Sequence, residues 1–152
     1  MPTPAEIVET LHAASRQAEQ LAATDAATLS LLAKANFLCL AAMRAAARPA
    51  LHLASPQPTT AIRPGLPTRW FIARLESESH AHPATPTDPA TALRDFRRSH
   101  EAALELLAEC RHLDLNKIRF RYPFAPFRFT VGAGFLLINA HERAHLGHNQ
   151  KQ

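Results

Sequence analysis

Glycine is scarce in this chain, with four residues among 152. That scarcity excludes a turn-rich β architecture and a Gly-rich phosphate loop. Gly132 and Gly134 stand close together, but they lack the preceding strand and the lysine such a loop needs. Cysteine is scarcer still. Cys39 and Cys110 lie far apart and form no C-x-x-C pair, which excludes a zinc knuckle or a dithiol redox motif. They read as small buried hydrophobes of a reducing compartment. Lysine is confined to Lys34, Lys117 and Lys151, so the net charge of +4 comes from arginine, scattered through every segment. Scattered charge is a solvated surface and argues little for an acidic partner. Glu6 and Glu9 stand where a signal peptide would need an apolar stretch. No uninterrupted run of about 18 apolar residues is present, so no membrane span is expected and a cytoplasmic protein is the default.

What remains is rich in alanine and leucine, with a hydrophobic share of 47% that favours helices. The length suits a single domain over residues 1–152, large enough to bury a core. Thr3-Pro4-Ala5-Glu6 is a helix start with a cap, a first-turn proline and a capping-box glutamate. Ile7, Leu11, Ala14, Ala18 and Leu21 then recur at helical spacing to about Ala23. A second helix is expected from about Ala26 to Leu53, kinked or ended by Pro49, with Leu32, Asn36, Cys39, Met43 and Ala46 on its inner face. Prolines at 56, 58, 64 and 67 mark residues 55–68 as a loop, followed by a short helical candidate at Trp70–Leu75. Residues 79–87 are a second Pro- and Thr-rich loop, after which Asp88-Pro89 starts a helix with the stripe Leu93, Phe96, His100, Ala103 and Leu107. The last helix runs from about Val131 to His148. The expected fold is therefore all-α, a four-helix bundle with long Pro-rich loops.

The last helix carries the chemistry. Ile138, His141, His145 and His148 recur every three or four residues and form one stripe. Imidazoles at i and i+4 can offer two nitrogens to one metal ion, and buried imidazoles need partners. His148 lies about 10.5 Å along the axis from His141, too far for one ion to bridge all three histidines of a straight helix. His100 is the better third ligand, since a neighbouring helix can approach from the side. A core histidine satisfied by one hydrogen bond is the plainer account of it. His141-Glu142-Arg143-Ala144-His145 also spells H-E-x-x-H, but too few residues follow to supply a zincin's third ligand. In Lys117–Phe129, basic and aromatic residues alternate as in a nucleic-acid strand. Pro123 and Pro126 cut it short, so it is expected to be a loop that packs Phe124, Phe127 and Phe129 on the bundle and binds no nucleic acid.

Four stretches together resemble the DinB-like superfamily. They are the opening Ile7–Leu21 helix, Arg63-Pro-Gly-Leu-Pro-Thr-Arg-Trp-Phe-Ile72, Leu113-Asp-Leu-Asn-Lys-Ile-Arg-Phe-Arg-Tyr-Pro-Phe124, and Gly132-Ala-Gly-Phe135 leading into Ala140-His141-Glu142-Arg143-Ala144-His145-Leu146. The resemblance implies a four-helix bundle holding a divalent metal, zinc or nickel, on three histidines, two of them His141 and His145. It implies a metal-dependent transferase or hydrolase, since characterised relatives include thiol S-transferases and a mycothiol-dependent isomerase. The substrate would be a small molecule, with a low-molecular-weight thiol as partner; a homodimer is the expected assembly on either reading of the bundle. The metal would act as Lewis acid or lower the pKa of a bound thiol or water. The second helix departs from the pattern: it lacks the Trp-Ser entry and the central His-Leu, and Cys39-Leu-Ala-Ala-Met43 places Ala42 where the first ligand would stand. His100 is then the substitute ligand. The other reading of the same bundle is a non-catalytic one that works through dimerisation or partner binding.

Overall fold

The computed structural model describes residues 1–52, 58–77 and 87–150, with side chains to Leu146. Among the described residues five α-helices form in chain order: α1 Pro4–Ala22, α2 Ala26–Ala47, α3 Leu66–Ser77, α4 Pro89–Glu109 and α5 Val131–Gln150. Both sequence-read starts are present. Thr3 and Glu6 close a reciprocal capping box on α1, and the Asp88 carboxylate accepts from the Thr91 backbone at the start of α4. Those bonds to Thr91 hold the Asp88 carboxyl below its ordinary value. Pro49 ends α2 as expected, and the chain tightens there into a 3-10 helix, Arg48–His52.

Two expectations are corrected. The loop placed over 55–68 runs into α3, whose second residue is Pro67; a first-turn proline loses no intrahelical bond, so it does not delay the helix. The 117–129 segment is not a plain loop. Arg119–Arg121 (β1) pairs antiparallel with Arg128–Thr130 (β2), Phe120 facing Phe129 in register. Both prolines fall in the connecting turn, where no ladder hydrogen bond is lost. Phe120, Tyr122 and Phe129 are buried and the three strand arginines exposed, while Phe124 and Phe127 stay largely in water.

Side-chain contacts fix the direction of every long helix. Asn36 meets Ser99 and Arg44 meets Glu109, so α2 and α4 run parallel. Glu19 pairs with Arg97, and the start of α1 packs on the end of α4, so those two run antiparallel. Asn36 reaches Glu142 while Met43 lies beside Gly134, so α2 and α5 are also antiparallel. Four long helices, with α3 laid on α5, thus make the expected bundle, and the crossing 48–88 is what lets α4 return parallel to α2. Residues 59–63 hold the far side of that crossing. The Thr59 hydroxyl donates to the Leu113 carbonyl and accepts from the Leu115 amide, and the Asn116 carboxamide bridges Ala61 and Arg63.

The apolar interior divides in two. Ile7, Leu11, Met43, Leu106 and Phe135 belong to the larger cluster, and Leu29, Leu32, Phe96 and Leu146 to the smaller. On α2 the change comes between Ala33 and Cys39, on α4 between Phe96 and Ala103, and on α5 between Ile138 and Leu146. Asn36, Ser99, His100 and Glu142 fill that level, all buried.

Helix α2 is apolar nearly all round. With its 3-10 extension it is long and apolar enough to cross a membrane, with half of the tested stretch buried inside the bundle. An uninterrupted-run criterion passes over it because Lys34 and Arg44 break the run without much lowering its mean hydropathy. Its approach to α5 depends on Gly134, where an added Cβ would lie 2.7 Å from Met43 Sδ and 2.9 Å from Phe120 Cε1. Met43 has no exposed surface to move into. Gly134→Ala is therefore expected to destabilise the fold by about 1–3 kcal/mol through overpacking, despite its better helix propensity, as read from urea unfolding.

Candidate functional site

Helix α5 is the most deeply placed element, and its polar residues therefore need partners from its neighbours. At Glu142 those partners are in place. His100 Nε2–H donates to Oε1 at 2.6 Å and Oε2 at 2.7 Å, with both side chains almost fully enclosed. Asn36 Nδ2–H2 donates to Ser99 Oγ at 3.1 Å and to Glu142 Oε1 at 3.4 Å, and the Ser99 hydroxyl donates to the Phe96 carbonyl at 2.6 Å. The Phe96 ring packs on His100 at 4.3 Å between centroids. Helices α2, α4 and α5 are thereby joined at one level by hydrogen bonds among four side chains. His100 Nδ1 alone of that group is buried with no hydrogen-bond partner among the described residues.

The three sequence-read ligands are split by this arrangement. His141 and His145 do come together, their rings 4.9 Å apart and nearly perpendicular, His145 buried and His141 half-buried. His100 does not turn to them, because its Nε2 is held by Glu142. The His148 side chain lies outside the described residues. Among the described residues no group of three or more His, Cys, Asp or Glu is arranged to hold a metal ion. The described residues therefore do not fit the three-histidine metal implied by the resemblance. The H-E-x-x-H reading fails on geometry too: the Glu142 carboxylate, which would have to activate water, is committed to His100 in the core.

Nor does Ala42 stand where a first ligand is needed. The antiparallel register sets Met43 beside Gly134 and Asn36 beside Glu142, so position 42 is level with Phe135. A histidine there would lie about 12 Å along the axis from the midpoint of His141 and His145. The thiols offer no replacement. Both cysteines are free and buried; burial pushes the Cys39 thiol up to about 12 and raises Cys110 as well.

Sequence reasoning named His100 and placed Asn36 on an inner stripe, but missed Glu142 and Ser99 as their partners. The signal was present: two polar residues on the inner faces of two helices require a third group between them, and Glu142 is the charged residue that follows the histidine stripe inward. Residues 32–148 match the DinB superfamily, a stretch that begins within α2 and includes the four-residue polar level and both paired histidines. No curated protein and no solved structure matches the chain.

Two outcomes follow from this geometry. Glu142→Leu leaves His100 and Asn36 facing an apolar group and is expected to cost about 3–5 kcal/mol in urea unfolding, while adding His100→Leu recovers most of that loss. An additive double variant would contradict the pairing. Ala42→His is expected to leave zinc and nickel affinity within about twofold of the unaltered chain by calorimetry, because one helical rise of 1.5 Å per residue puts it out of reach. With the bundle, the α5 histidine pair and the matched residues in hand, the chain belongs to the DinB superfamily.

Proposed function

We propose that this chain works as a non-catalytic helical bundle that associates with a second copy of itself through α2. One observation carries the reading. The outward face of α2 presents Leu31, Phe37 and Leu38 at 40–55% exposure, continued by exposed Ala41 and Ala45, with Lys34 as the charged residue on that face. A helix that is apolar all round is normally covered on every side.

The layout of the face favours a second copy as its cover. Phe37 and Leu38 lie at the middle of the 22-residue helix. A two-fold axis through that point pairs Phe37 with Leu38 of the other copy, Lys34 with Ala41, and Leu31 with Arg44. No like charges oppose each other, and Arg44 is already paired with Glu109 at 2.6 Å. Such an isologous contact is the usual form of a homodimer. From Leu31 to Ala45 the face is about 21 Å long and roughly 10 Å wide, so it supplies less than the roughly 800 Å² per partner of a standard interface. A weak, concentration-dependent association is expected from a contact of that size.

Sedimentation equilibrium over a wide concentration range tests this. The unaltered chain is expected to show reversible dimerisation. Phe37→Glu with Leu38→Glu is expected to remain monomeric with an unchanged far-UV circular dichroism spectrum. A chain that stays monomeric throughout, or dimers that survive both changes, would sink the reading; binding to neutral lipid vesicles in place of dimers would make the face a membrane contact.

A second reading, a metal-dependent transferase or hydrolase acting on a small molecule with a low-molecular-weight thiol, draws on the closeness of the His141 and His145 rings. About one equivalent of zinc or nickel retained after purification without chelator or a nickel column, and lost on His145→Ala, would favour it over the scaffold.

A further inference from the structure

A different part of the molecule holds a cavity with a chemical preference of its own. It lies between the first turns of α1 and the last turns of α4, closed below by Leu115, with a volume of about 310 Å³. Small-molecule pockets span roughly 300–1,000 Å³, so it is of a size to take a compact ligand. Val8, Leu104, Leu107 and Leu115 make its walls apolar, and Ala5 and Ala108 leave the opening wide. No residue of α2 or α5 lines it, so it stands apart from the proposed dimer face and from the histidines.

Charge in the lining of this cavity is confined to one residue, Arg111. Thr59 is locked in the wall, its hydroxyl donating to Leu113 and accepting from Leu115. Cys110 is a buried free thiol. Arg111 sits at the exposed rim, and its guanidinium has neither an ion pair nor a side-chain hydrogen bond among the described residues. An unpaired, always-charged fork of donors beside an apolar hollow matches a ligand with one carboxylate and a short hydrocarbon tail. We infer that the groove between the start of α1 and the end of α4 binds a small amphipathic monocarboxylate, its tail among Val8, Leu104 and Leu107 and its carboxylate on Arg111.

The full chain, titrated at low ionic strength with hexanoate, heptanoate and octanoate and followed by two-dimensional amide NMR, tests this. Octanol serves as the uncharged comparison. Saturable shifts are expected at Ala5, Val8, Ala108 and Arg111, with affinity rising roughly fourfold for each added CH2. Arg111→Gln is expected to weaken octanoate roughly two- to fivefold and leave octanol unchanged, as suits an exposed ion pair. Ala108→Leu places a side chain in the opening from an exposed position, so the fold should persist while binding of both probes is lost. The absence of saturable shifts, shifts confined to α2, octanoate binding indifferent to Arg111→Gln, or binding that survives Ala108→Leu would each overturn the site. None of these outcomes depends on the oligomeric state.

Discussion

The His100–Glu142 pair is the constraint around which the rest of the bundle is arranged. A carboxylate on the most enclosed helix is tolerable only with donors on both oxygens, and those donors come from two other helices. The demand fixes more than one contact. If α5 slides by a turn against α4, Glu142 faces Phe96 or Ala103 and His100 loses its acceptor, so one axial register joins all four side chains. The apolar residues to either side could pack in several registers at similar cost, as helical cores tolerate rearrangement when volume is kept. The polar level thus supplies specificity and the two apolar clusters supply most of the stability.

That division also accounts for the chemistry of the site. A histidine-rich helix invites a metal, yet a metal needs nitrogens that converge, and here one of the three is held by a carboxylate. The pair on α5 remains close, while His100 is engaged with Glu142. The family's bundle is retained, and the interior polar groups bond to one another, with His100 Nδ1 left over among the described residues. A departed α2 fits the same picture: in place of a ligand it contributes Asn36 to the core and an apolar face to the outside.

The architecture was legible in the sequence to a large extent, because capping boxes, first-turn prolines and apolar stripes are local signals. Thr3, Asp88 and Pro49 marked helix ends where the structure has them. Less local features escaped. The β1–β2 pairing needs two three-residue segments across a proline turn, too short for alternation to declare a partner. His100 was named as both a candidate ligand and a core histidine, and deciding between them required knowing which face of α5 met α4. Glu142 was hidden by its neighbours, since a glutamate flanked by His141 and Arg143 reads as surface. The outward face of α2 was missed for the opposite reason: Lys34 and Arg44 made a long apolar helix look interrupted.

The sequence separation of the polar level has a kinetic side. Asn36 is 106 positions from Glu142 and His100 is 42 positions from it, so none of these bonds can form as a local structure. During synthesis, α1, α2 and α4 emerge before the residue that completes them. Until α5 docks, Asn36 and His100 have no carboxylate between them, and the apolar surfaces above and below stay open to wrong partners. Closure of that level is then the late, long-range step of folding, and a nascent chain held before it would present the sticky surface that chaperones recognise.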